Sequence, residues 1–245
     1  LYFAPMIFGL GLTLATMPMM AHAIGRNRHS VRDLRRTVRQ GFWIAAFVSM
    51  PIWLLLWHGE EVLLLLGQEP RLAREAGAYL QALQWGLLPF YLYIVLRSFI
   101  STLERPGWST VVAFVAVGFN LLANLVLVFG HLGFPRMGIV GSGVATSLSN
   151  LLMFAGLALV VSLDRRFRRY RLFGRFWRPD WPRLRQLARL GLPIAAMMAF
   201  ETTLFNLAAF VMGIIGAASL AAYAIVMQLC SISFMVPLGV NQAAT

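Results

Sequence analysis

Apolar residues in this 245-residue chain fall in long blocks and not at alternate positions. Seven blocks, at about 1–23, 42–66, 82–103, 109–130, 138–163, 190–215 and 219–240, carry almost no ionisable side chain. Each is about 20 residues long, the length a helix needs to cross about 30 Å of hydrocarbon. Strands of a membrane barrel would be about ten residues long and would alternate polar with apolar. The pattern therefore predicts an all-α polytopic membrane protein with seven transmembrane helices. Three connections exceed a short turn: the arginine-rich segment Gly25 to Gln40, the segment Gly67 to Gln81, and Asp164 to Arg189. Within the second, Pro70 to Leu83 sets Arg71, Arg74, Glu75 and Gln81 among Leu72, Ala76, Tyr79 and Leu80. This reads as an amphipathic helix on the external surface, capping the second and third spans.

Composition supports a lipid setting. At 59% hydrophobic and 12% charged residues, the chain carries more apolar surface than a water-soluble fold can hide. The net charge of +12 comes from arginine alone, and the arginines sit between membrane-length runs. That distribution excludes a nucleic-acid partner in favour of membrane topology. Seventeen of the 21 basic residues lie in the loops after the first, third and fifth spans. Positive-inside orientation makes those loops cytoplasmic, with Leu1 outside and Thr245 inside. In the connector Asp164 to Arg189, Trp177 and Trp181 with Pro179 and Pro182 predict an interfacial linker whose arginines meet anionic lipid. The acidic Glu60, Glu61, Glu69 and Glu75 read as solvated charges. Cys230 has no second cysteine, so neither a disulfide nor a thiolate metal site is expected. The chain opens on an apolar Leu1 and stops at Thr245 as an apolar run finishes, which reads as a piece cut at both ends.

Few residues can carry chemistry. Glu201 lies about ten residues into its apolar run and is the one acidic side chain deep inside a span. A charge there costs several kcal/mol unless paired, hydrated or neutralised, so it reads as an ion or substrate site, or else as a protonated group bonded to a neighbouring helix. Asn120 and Asn124, four apart, share one helix face. They supply amide oxygens to a cation or substrate, or they bond two helices together. Gly138, Gly141 and Gly143 precede Ala145, Thr146, Ser147 and Ser149, a small-residue run suited to close packing. Thr146 could add a hydroxyl to a cavity lined by Asn120 and Asn124. Pro18, Pro51, Pro89, Pro193 and Pro237 can each kink a helix and free a carbonyl. Twelve methionines and a 13% aromatic share suit a cavity for lipophilic cations, or lipid-facing filler. No Walker A pattern, Ser/His/Asp set or metal-binding His cluster occurs, so neither an enzyme nor an ATP-driven pump is expected, nor a cofactor.

Five stretches in series resemble the multidrug and toxic compound extrusion (MATE) transporters, in their NorM-like branch. They are ATMPMMAHAIGRNR (15–28) with RRTVRQG (35–41), LRSFISTLERPGWS (96–109), FNLLANLVLVFGHLGFPRMGIVGSGVATSLSN (119–150), LGLPIAAMMAFETTLFNLAAFVMG (190–213) and FMVPLGVNQAAT (234–245). The resemblance implies a twelve-helix, two-lobe transporter of which family helices two to eight are visible. Residues 1–163 would belong to the N-terminal lobe, 164–189 to a cytoplasmic linker and 190–245 to the start of the C-terminal lobe. It implies alternating access, with cationic or amphipathic drugs exported against inward Na⁺ or H⁺. Glu201 matches an acidic residue in the first helix of the family's C-terminal lobe. Asn120, Asn124 and Thr146 fall where the N-terminal lobe's cation site would lie. Tyr223 and Ala224 stand where many relatives have His-Gln, so no role is carried over for that pair. Two rival classes remain at this level. A lipid-linked oligosaccharide flippase would line its cavity with intramembrane Arg or Lys, and a seven-helix receptor would need the seven spans to be complete.

Overall fold

A computed structural model describes residues 2–26, 31–65, 70–130, 136–170, 172–174 and 180–244, and every regular element among them is helical. In chain order these are α1 (Phe3–Leu14), α2 (Thr16–Arg26), α3 (Val31–Trp57), α4 (Gly59–Leu65), α5 (Pro70–Leu83), a 3₁₀ turn (Gln84–Gly86), α6 (Leu87–Thr102), α7 (Gly107–Phe129), α8 (Gly138–Leu163), α9 (Arg165–Arg168), α10 (Trp181–Ile215) and α11 (Ala217–Ala244). Seven helical stretches among the described residues are long and apolar enough to cross a membrane: Phe3–Gly25, Val31–Trp57, Pro70–Thr102, Gly107–Phe129, Gly138–Leu163, Trp181–Met212 and Ser219–Pro237. Each overlaps one predicted block, and their edges carry the corrections.

The second span was expected at 42–66, after an arginine-rich loop. Instead, α3 starts at Val31 and stops at Trp57, with α4 following as a separate short helix. Leu34, Thr37, Val38 and Gly41 are buried, a helical spacing that runs on ahead of the apolar block while Arg32 and Arg36 face out. Asp33 in the first turn also suits the positive end of the helix. Arg28, His29 and Ser30 lie outside the described residues.

Pro70–Leu83 forms a helix with the expected bounds, and one face of it packs on neighbouring helices. Ala73, Gly77, Leu80 and Leu83 are buried, α5 packs on α4 and α8, and the chain continues through the 3₁₀ turn into α6. Glu69 lies outside the described residues.

The connector Asp164 to Arg189 differs most from expectation. α10 begins at Trp181, so the last third of that segment is helix; Pro182 sits in its first turn, where a missing N–H costs nothing. Upstream, Phe167, Tyr170 and Leu172 are buried in the core formed by α2, α3, α6 and α8. The Phe99 ring lies 5.2 Å from that of Tyr170, edge-on, and 6.1 Å from that of Phe167. Burying each such side chain is worth about 1.5–3 kcal/mol, more than an exposed ion pair, so Phe167 and Tyr170 anchor this part of the connector in the core. Trp177 and Pro179 lie outside the described residues, and Trp181 is exposed.

The chain divides into two compact units, Leu1–Met198 and Ala199–Thr245. Within the first, a second core joins Leu12, Ala15, Met19 and Ile44 to Leu187 and Ala195 of α10. A third gathers Ile52, Leu56, Leu80, Leu87 and Tyr91, with the Tyr91 hydroxyl donating to the Met6 carbonyl at 3.0 Å. α7 packs chiefly on α8 and exposes Val111, Phe114, Val115, Val117, Leu121 and Leu122, a face suited to lipid. Within the second unit, the rest of α10 and α11 are joined at Gly216, whose φ of 151° disfavours a side chain. The Tyr223 hydroxyl donates to the Phe205 carbonyl at 3.2 Å across the two helices.

Candidate functional site

The polar face of α7 turns toward α8. Asn120 and Asn124 are half-buried, and Asn124 Nδ2 donates both to the Asn120 carbonyl at 2.9 Å and to its Oδ1 at 3.1 Å. Asn120 Nδ2 in turn donates to Ser149 Oγ on α8 at 3.0 Å. Ser149 passes its own proton to the Ala145 carbonyl at 2.8 Å, so the two helices are tied by a short amide–hydroxyl chain. Thr146, half-buried on the same side of α8, donates to the Ser142 carbonyl at 3.0 Å. Its register sets it between Ser149 and Ser142, and Ser142 shares with Asn124 a shallow groove of about 570 Å³ also lined by Tyr79, Leu125, Phe129 and Ile139. Asn120 and Asn124 thus face α8 in one seam, while the Thr146 hydrogen bond stays within α8, one turn from Ser149. Glu201 lies in the second unit, exposed on α10, and among the described residues no hydrogen bond or ion pair is found for it.

The small-residue run explains how this seam closes. A Cβ at Gly141 would come within 2.7 Å of the Leu127 carbonyl oxygen on α7, and one at Gly143 within 3.0 Å of Ala82 Cβ on α5. Bulk at either position would push α8 away from its neighbours.

A polar collar around the 3₁₀ turn was not anticipated from the sequence. There Ser147 Oγ donates to the Ala82 carbonyl at 2.8 Å, Asn150 Nδ2 to the Gly86 carbonyl at 3.2 Å, and Trp53 Nε1 to the Gln84 carbonyl at 2.8 Å. Side chains of two other helices therefore satisfy the carbonyls that a broken helix leaves open, as a lipid setting demands. The Gln84 side-chain oxygen stays buried without a partner. The signal was present as Gly86 followed by Pro89 inside the third apolar block, a pair that weakens a helix from both sides.

Seven helices among the described residues long and apolar enough to cross a membrane, with amides and hydroxyls drawn into helix seams and a carboxylate on an apolar helix, define a polytopic α-helical membrane protein. The family model MatE matches residues 1–126, and the chain belongs to this family. It is 67% identical over 245 residues to a probable multidrug resistance protein NorM of Mesorhizobium japonicum, covering all of this chain and 52% of that protein. It is 36% identical over 241 residues to the multidrug resistance protein MdtK of Klebsiella pneumoniae, covering 98% of this chain and 52% of that one. The chain thus spans about half the length of the curated relatives it matches. Among solved structures, the fold is similar to the eukaryotic MATE transporter AtDTX14, with a TM-score of 0.77 at 20% identity over 98% of this chain and 52% of that one. An inward-facing MATE family transporter of the MOP superfamily gives a TM-score of 0.73 at 17% identity over 95% of this chain and 52% of its own.

Proposed function

We propose that the protein carrying this chain is a secondary active exporter of cationic or amphipathic small molecules, driven by inward Na⁺ or H⁺ and working by alternating access. In this reading residues 1–163 belong to one lobe, 164–189 link the lobes, and 190–245 open the second. The setting is a bacterial inner membrane, the cargo is drug-like, the coupling ion is the one cofactor-like species, and no catalytic chemistry is assigned. The observation that carries the proposal is Glu201, a carboxylate on an apolar helix with no cation paired to it among the described residues. A proton, a Na⁺ ion or a cationic drug can neutralise it in turn, and that competition is the basis of exchange. Efflux of ethidium from cells expressing the whole protein, measured with and without an ion gradient, tests it: gradient-dependent efflux supports the reading, and its absence refutes it.

The Asn face supplies a second check. Asn120→Leu removes the tie to Ser149 and should cost about 0.6–1.7 kcal/mol of bundle stability. Asn124→Leu removes only hydrogen bonds within α7 and should cost less. If this seam serves ion or drug binding, both variants lower efflux per folded molecule. Normal efflux per folded molecule in both assigns the asparagines to helix packing alone.

Orientation is testable separately. In a Cys230→Ser background, cysteines introduced at Arg32 and Arg165 should resist an impermeant maleimide in intact cells and react in inside-out vesicles. Labelling in intact cells would reverse the topology read from arginine placement.

A further inference from the structure

The start of α10 is pinned to the start of α3 by two ion pairs of opposite polarity. Arg36 of α3 donates through Nε at 2.9 Å, and also through Nη2, to Oδ2 of Asp180, the residue before α10. Three residues earlier on α3, Asp33 accepts from Arg183 Nη1 at 3.4 Å, while Arg183 Nη2 reaches Thr37 Oγ1 at 3.1 Å. Each segment thus contributes one acid and one arginine, three residues apart. Exchanging partners would set Arg183 against Arg36 and Asp180 against Asp33, so the quartet accepts one register and repels the alternative. Arg183 Nε is buried without a partner, which makes that guanidinium depend on Asp33 and Thr37 for compensation.

Two neighbouring features give the quartet its consequence. Upstream, Phe167, Tyr170 and Leu172 fix the preceding segment in the core, and Arg39 Nε holds the Leu172 carbonyl at 3.1 Å. Along α10, Leu187 and Ala195 are fully buried against Leu12, Ala15 and Met19. There a Cβ on Gly191 would come within 3.0 Å of the Leu12 backbone. The connector is therefore anchored by apolar contacts, whereas the first turn of α10 is held by charges that water can replace, directly beneath a dry helix crossing.

We propose that Asp33, Arg36, Asp180 and Arg183 form a cytoplasmic latch that keeps the α1–α10 crossing shut, and that its release admits water to that crossing from the inside. The inference rests on the reading that α10 opens a second lobe which moves against the first. The test uses the whole protein with Leu187→Cys as reporter in a Cys230→Ser background, in inside-out vesicles exposed to an impermeant maleimide. Neutralising the latch with Asp33→Asn and Asp180→Asn should raise the labelling rate about three- to tenfold, the scale of two partly exposed ion pairs. Reversing all four charges together, with Asp33→Arg, Arg36→Asp, Asp180→Arg and Arg183→Asp, should return it to the starting rate. Equal labelling with and without the neutralising changes overturns the proposal, as does a reversed quartet that labels as fast as the neutralised one. Should the double variant not fold, Asp180→Asn alone serves, because it lies ahead of the helix. Labelling is read without drug or gradient, so a failure of the latch and a failure of the transport reading are separately visible.

Discussion

Glu201→Gln is expected to reduce gradient-driven efflux about 5- to 150-fold, the span of a coupling free energy of about 1–3 kcal/mol, while the whole protein still inserts and folds. Glutamine keeps the size of the side chain and its capacity for hydrogen bonds but cannot carry a charge. Glu201 has no ion-pair or hydrogen-bond partner among the described residues, so the change breaks no contact described here. A structural carboxylate would show the reverse pattern, with reduced folded yield and normal efflux per folded molecule. Ethidium efflux from proteoliposomes under an imposed Na⁺ or H⁺ gradient, normalised to monodisperse protein, separates the two. Wild-type gradient-dependent efflux in the glutamine variant would place coupling elsewhere.

The largest expected loss of stability is at the crossing of α1 with α10. A Cβ on Gly11 would fall on the backbone of Ala195, where no rotamer change gives relief. Gly11→Val should therefore separate the helices at a cost of about 1–3 kcal/mol or more, as in other overpacked sites. Gly118 supplies the control, because a Cβ there meets nothing within 4 Å on the exposed face of α7. Gly118→Val should leave thermal unfolding in detergent nearly unchanged, whereas Gly11→Val should lower the midpoint and the folded yield. Equal midpoints for the two variants would mean that α1 and α10 do not touch as described.

The seven spans were legible because about 20 consecutive apolar residues have few other uses. The arginine-rich starts of α3 and α10 were not, and the reason is the same at both. From Val31 and from Trp181 the arginines lower hydropathy, which resembles a loop, while Leu34 and Val38, or Leu184 and Leu187, keep helical spacing underneath. Periodicity marks both starts where hydropathy does not. The Asn120–Asn124 face followed from four-residue spacing alone. Its partner Ser149 did not, since pairing depends on how α7 and α8 are set against each other. The ion pairs Arg36–Asp180 and Asp33–Arg183 join residues separated by 144 and 150 positions, and no local pattern announces such a pair. In the connector, nothing local separates Phe167 and Tyr170 from the tryptophans, because an aromatic among arginines fits a headgroup layer as well as a core.

Reciprocal exchange is the defining property of such a transporter. If drug and ion compete for one carboxylate, then an imposed drug gradient must move the ion, just as an ion gradient moves the drug. The direct measurement is ion flux in proteoliposomes holding the whole protein, followed by an internal pH dye or by radioactive Na⁺ after ethidium is added on one side with no ion gradient present. H⁺ or Na⁺ is expected to move opposite to ethidium, and this movement is lost in Glu201→Gln. Ethidium crossing without any accompanying ion movement would contradict reciprocal exchange.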